Sequence, residues 1–151
     1  MLEKNQKGFS FVELMVVIGI VSLLVLVALP SYRNFILKAE FIETKMAVSA
    51  VKVSLEVCVQ TLGLAGAKFC RQSSHGIPGA NPAAAGIVGV KLTSDIYTKL
   101  TPPAAGDKLT ITATAPTDSG TKEQTYTLTG TLTAKGRIDW DNGSCSKSEL
   151  C

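Results

Sequence analysis

Residues that carry catalytic or metal chemistry are scarce in this sequence. The single histidine, His75, sits in a Gly/Pro-rich loop, and none of the four cysteines stands in a C-x-x-C arrangement. The usual spacing of a Cys/His zinc site is therefore missing, and His75 has no identifiable orienting partner to activate a thiol. No phosphate-binding loop, metal motif or paired-carboxylate site stands out. These gaps argue against an enzyme and against a bound cofactor or metal. An excess of one charge is also lacking: 15 Lys and Arg face 12 Asp and Glu, a formal net charge of +3. By itself that argues for neither a nucleic-acid nor an acidic partner. The basic residues beyond residue 60, among them Lys68, Arg71, Lys91, Lys122, Lys135 and Arg137, are scattered as on an ordinary solvated face. Salt-sensitive nucleic-acid binding through Lys135 and Arg137 is the weakly supported alternative.

What is present is unevenly spread. At 151 residues the chain is long enough for one domain with a modest core, yet its large aliphatic side chains crowd into the first third. The cysteines form an even set in two sequence-local pairs, which in an exported chain reads as two disulfides. Three pairings are open, and we expect the local one, Cys58–Cys70 with Cys145–Cys151. By chain-entropy reasoning a loop of about 12 residues contributes on the order of 3 kcal/mol.

Residues 9–29 read FSFVELMVVIGIVSLLVLVAL, with only Ser10, Glu13 and Ser22 polar. As a helix this run would rise about 31 Å, matching the roughly 30 Å hydrocarbon core of a bilayer. It is apolar on every side and so presents no amphipathic face to a soluble core. Lys4 and Lys7 precede it as a secretory n-region would, but the run is longer than a usual h-region and no A-x-A-like site closes it. The basic leader implies a cytoplasmic N-terminus with the bulk of the chain outside. Glu13 is the anomaly, because a central carboxylate in such a span costs roughly 2.5–3.5 kcal/mol, and less near the interface. It either snorkels to the headgroups or pairs with a cation, and residues 9–29 contain no Lys or Arg.

The run KGFSFVELMVV resembles the processing site of type IV pilins and their relatives, and the resemblance continues through LPSYRNFILKAEFIE. It implies that a prepilin peptidase cuts after Gly8 and methylates the new amino terminus on Phe9. It implies that Glu13 assists processing and assembly, pairing with the freed ammonium of a neighbouring subunit or of its own helix one turn away. The implied partners are further copies of the chain, the prepilin peptidase, the assembly machinery and the inner membrane. The implied end point is an extracellular pilus serving adhesion, twitching motility or DNA uptake, and no cofactor is implied. Pilins often have a glycine where this chain has Ser22, so any segment that melts in a filament is expected between Gly19 and Pro30. Two expected disulfides and a C-terminal run, WDNGSCSKSELC, resembling the D-region favour the major subunit. A minor pilin or a type II secretion pseudopilin shares the same anchor.

Beyond Pro30, Tyr32, Phe35, Ala39, Ile42, Met46, Ala50, Val53 and Val57 recur at three- and four-residue steps. This predicts an amphipathic helix continuous with the anchor to about Gln60, its apolar stripe packed on a head. Lys52 and Glu56 read as a solvated i,i+4 pair. Thr61–Pro103 reads as a long glycine- and proline-rich loop, with Ile87–Leu100 open between strand and helical turn. Lys108–Ala115, Gln124–Thr133 and about Arg137–Trp140 read as antiparallel strands, the first two alternating apolar residues with threonine. Trp140 reads as a packing residue. The expected fold is α+β, a long N-terminal helix on a small antiparallel sheet. The expected divisions are a leader (1–8), an anchor (9–29), an amphipathic half-helix (30–60), a loop region (61–107), a sheet (108–142) and a disulfide-bounded loop (143–151).

Overall fold

A computed structural model of the chain describes residues 8–151. The expected leader, with Lys4 and Lys7, otherwise lies outside the described residues. One helix, α1, runs Phe11–Gly66, and the chain divides into two compact units between Ile36 and Leu37. In the first unit α1 is apolar on all sides as far as Leu29, and its side chains are exposed throughout. It is long and apolar enough to cross a membrane. Gly19 and Pro30 both lie inside regular helix. Proline there removes one amide donor and glycine one side chain, and neither loss unwinds the flanking turns.

The second unit packs the remainder of α1 on a five-stranded antiparallel sheet, so the α+β expectation holds. The strands are β1 (Gly89–Ser94), β2 (Lys108–Thr114), β3 (Thr125–Leu132), β4 (Ile138–Trp140) and β5 (Ser144–Cys145). The order is β1-β2-β3-β4, with β5 also paired to β3. The register sets Leu92 opposite Ile111 and Ile111 opposite Leu128, so one apolar row crosses three strands. That row and Leu109, Leu132 and Ile138 close on Val48, Val51, Leu55 and Val59 of the helix, all buried. The opposite face carries threonines in register, Thr110 against Thr129 and Thr112 against Thr127. A second cluster joins Phe41, Ala115 and Leu150.

Four expectations change. The helix passes Gln60 and ends at Gly66, kinking at Gly63, where φ is +70° and glycine alone avoids a Cβ penalty. The loop region contains both of the open alternatives: β1, and a helical turn at Asp95–Tyr97 started by the Ser94 side chain accepting from Ile96 N–H. The strand was hard to see because its alternation spans only Val90 to Thr93 among glycines.

The helix stripe is the third change. Ile42, Met46, Val53 and Val57 are exposed, and the head is held instead by Phe41, Thr44, Val48, Val51, Leu55, Cys58 and Val59. At 100° per residue the two stripes lie about 180° apart. The fourth is the Lys52–Glu56 pair, which is partly buried and engaged: Trp140 Nε1–H donates to Glu56 Oε1 at 2.6 Å, and Lys52 Nζ lies 5.6 Å over the indole.

Candidate functional site

The residues expected to matter for processing and assembly cluster at the start of α1. Gly8, Phe9 and Ser10 are non-helical, and the helix opens with Leu14 N–H donating to the Ser10 carbonyl at 3.2 Å. The Gly8–Phe9 peptide bond therefore lies in accessible, non-helical chain just ahead of the first helical turn. Phe9 is 77% exposed, and the space a Cβ would occupy at Gly8 is open. Glu13 lies in the first turn, where the unpaired helix N–H groups favour a negative charge. Among the described residues no cation lies within ion-pair distance of it. Ser22 returns its hydroxyl to the Ile18 carbonyl at 2.6 Å, which removes that polar group from the apolar surface.

The cysteines are joined Cys58–Cys70 and Cys145–Cys151, with Cα separations of 5.8 and 5.7 Å, and no free thiol remains. The first bridge ties the end of α1 to the loop that follows it. The second closes the C-terminal turn, and there Lys45 Nζ donates to the Leu150 carbonyl at 3.1 Å. Gln72 mimics a strand partner on the outer edge of β1. Its amide nitrogen donates to Val90 O at 3.2 Å, and its oxygen accepts from Leu92 N–H at 2.9 Å. Together with the Asn81–Val90 bridge it blunts an edge that would otherwise invite pairing.

Below that edge, burial pushes the Tyr97 phenol up to about 12, partly offset by the Arg71 guanidinium, and its hydroxyl donates to the Cys70 carbonyl. Asp107 accepts from Lys99 and from Ala104 N–H, and these bonds hold its carboxyl below the usual range. The same bond raises Lys99. Gln72, Glu56 and Lys52 gave no signal of these roles in the sequence, because each acquires its role from a partner at least 18 residues away.

An exposed helix, apolar and long enough to cross a membrane and preceded by an accessible glycine, fits a membrane-anchored precursor. Residues 4–29 match the prokaryotic N-terminal methylation motif. Over 147 residues the chain is 30% identical to fimbrial protein EcpC of Eikenella corrodens, covering 95% of this chain and 86% of that protein. It is 38% identical over 85 residues to type IV pilus subunit protein TapA of Aeromonas hydrophila, covering 56% of this chain and 58% of that one. Identity to prepilin peptidase-dependent protein D of Escherichia coli is 35% over 74 residues, 49% of each chain. The match thus spans about half the length of the last two relatives and most of the first. The chain belongs to the type IV pilin family.

Proposed function

We propose that this chain is the major structural subunit of a type IV pilus. In this reading prepilin peptidase cuts Gly8–Phe9 and methylates Phe9, and the subunit waits in the inner membrane with its head outside. Assembly machinery then moves the helix from lipid into a bundle of like helices, so its apolar surface stays dry throughout. The ammonium freed on Phe9 of a neighbour supplies a cation for Glu13, and Gly19 to Pro30 is the segment that unwinds on packing.

The observation that carries this reading is the second apolar stripe on α1. Ile42, Met46, Val53 and Val57 are exposed on a helix whose opposite face is already used by the head. At about 25 cal/mol per Å², leaving such a stripe in water is unfavourable, and packing against neighbouring helices removes the cost. The filament would serve adhesion, twitching motility or DNA uptake.

Electron microscopy of filaments sheared from the native cell tests this. Deletion should abolish them, and Glu13→Ala should reduce them sharply while the protein still accumulates in membrane. Undiminished filaments after deletion would show a minor subunit or pseudopilin instead, and abundant filaments with Glu13→Ala would remove its pairing role.

A further inference from the structure

Beside the first disulfide the head carries a groove of about 600 Å³, lined by Lys68, Phe69, Arg71, Gln72, Ser74 and His75. Two of these side chains are permanent cations, one is an imidazole, and none is a carboxylate. Phe69 is 55% exposed, and the Lys68 ammonium lies 5.1 Å from its ring centre. The Arg71 guanidinium lies 5.0 Å from the centre of the Tyr97 ring. It donates from Nε to the Lys68 carbonyl at 3.0 Å and from one terminal nitrogen to the Tyr97 carbonyl at 3.4 Å. A guanidinium braced in this way keeps most of its five donors free in a fixed fork suited to phosphate oxygens. Gln72 and Ser74, in contrast, are committed to β1 and to the loop's own backbone.

The loop holding these groups is well braced. The Cys58–Cys70 bridge closes it, Ser74 N–H donates to Arg71 O, and Ile77 N–H to Ser74 O. Ser73 and His75 are held at φ +64° and +49°, a left-handed conformation that L side chains adopt only when their surroundings require it. The groove therefore presents positive charge beside a solvent-exposed aromatic ring.

We propose that this groove binds single-stranded nucleic acid, with phosphates on Arg71 and Lys68 and a base stacked on Phe69. Cations that track a backbone beside an aromatic that stacks a base are what sequence-tolerant single-strand binding requires. The basic groove at Thr133, Ala134, Lys135, Arg137 and Asp139 sets a carboxylate beside its cations and has no aromatic on which a base could stack. The proposal is independent of the chain's role in a filament, since it concerns the head of a single copy.

Fluorescence anisotropy of the full chain in a neutral detergent, with a labelled oligothymidine of about twelve nucleotides, tests it. Affinity should fall steeply between about 50 and 200 mM salt. Phe69→Ala should weaken binding about tenfold, with Phe69→Tyr restoring it. Lys68→Gln should lower the log–log salt slope by about 0.7. Both positions are exposed, so folding is not at issue, and Arg71, which braces the loop, is left in place. Three results would overturn the assignment: salt-independent retention, unchanged affinity for Phe69→Ala, or loss on Lys135→Gln with Arg137→Gln but not on Lys68→Gln. Displacement of the oligonucleotide by base-free polyphosphate as effectively, per phosphate, as by unlabelled oligothymidine would assign the groove to polyanions generally and overturn it too.

Discussion

Gly130 offers a test in which the sign of the effect decides. It lies on the inner face of β3 opposite Trp140. A Cβ built there would stand 2.8 Å from Cε3 and Cζ3 of the indole and closer still to Ile138 Cγ2. Gly130 is not among the positive-φ residues, so alanine fits its backbone conformation. On backbone grounds alone, Gly130→Ala should stabilise the fold by about 0.4–1 kcal/mol, because the unfolded chain has less freedom to lose. The contact argues the opposite. Forcing a methyl into that gap costs about 1–3 kcal/mol. If the indole swings away, the bond from Trp140 to the Glu56 carboxylate is lost as well, a class of interaction of about 1.5–3 kcal/mol. The expected net is a loss of about 1–3 kcal/mol.

Trp140 is the only tryptophan, so its emission reports this corner directly. In denaturant titrations of the full chain in detergent, Gly130→Ala should lower the midpoint and shift native emission to the red. Trp140→Leu removes the crowded ring atoms, so Gly130→Ala in that background, followed by circular dichroism, should cost at least 1 kcal/mol less. A raised midpoint would refute the packing argument, and additivity within about 0.5 kcal/mol would place the crowding on Ile138 Cγ2, the nearer atom, instead of the indole.

Two further outcomes follow from single polar groups. Thr44 is fully buried on α1, and its hydroxyl has no hydrogen-bond partner. Thr44→Val should therefore raise stability by about 1 kcal/mol, and a loss in denaturant titration would mean that the hydroxyl is satisfied. Asp107, held low by the Lys99 hydrogen bond, contributes stability that is present above its unfolded pKa of about 3.9 and lost as pH falls through its lower folded value. Lys99, raised by the same bond, contributes stability that is present below about 10.4 and lost as pH rises through its folded value. Unfolding free energies of the parent and Asp107→Asn should thus converge in acid, and a gap constant from neutral pH to below 3 would exclude the pair as its source.

The parts of this protein legible in its sequence are those whose signal is local. The anchor is a composition signal, the processing motif a contiguous string, and β2 and β3 alternate over a full strand length. Their observed bounds, Lys108–Thr114 and Thr125–Leu132, fall within one residue of the alternating runs. What was illegible depends on distant partners. Strand β1 is too short to show its period, and Gln72 holds its edge from 18 residues away. Lys52 and Glu56 have the spacing of a solvated ion pair, and only the return of β4 beneath them makes them the seat of Trp140.

The helix stripe failed for a more instructive reason. Periodicity marks which positions are apolar together; it does not say what covers them. From Leu37 to Gln60 two apolar stripes run on opposite sides of one helix, and the more conspicuous in sequence, with Ile42, Met46, Val53 and Val57, is the one left open. The stripe that holds the head includes Thr44, which a hydropathy reading discounts. A helix that must satisfy only its own domain needs one such face and gains solubility from a polar second face. A second, exposed apolar face is therefore intelligible only if something outside the monomer covers it, and the packing of like helices proposed above would meet that condition from Ile42 to Val57.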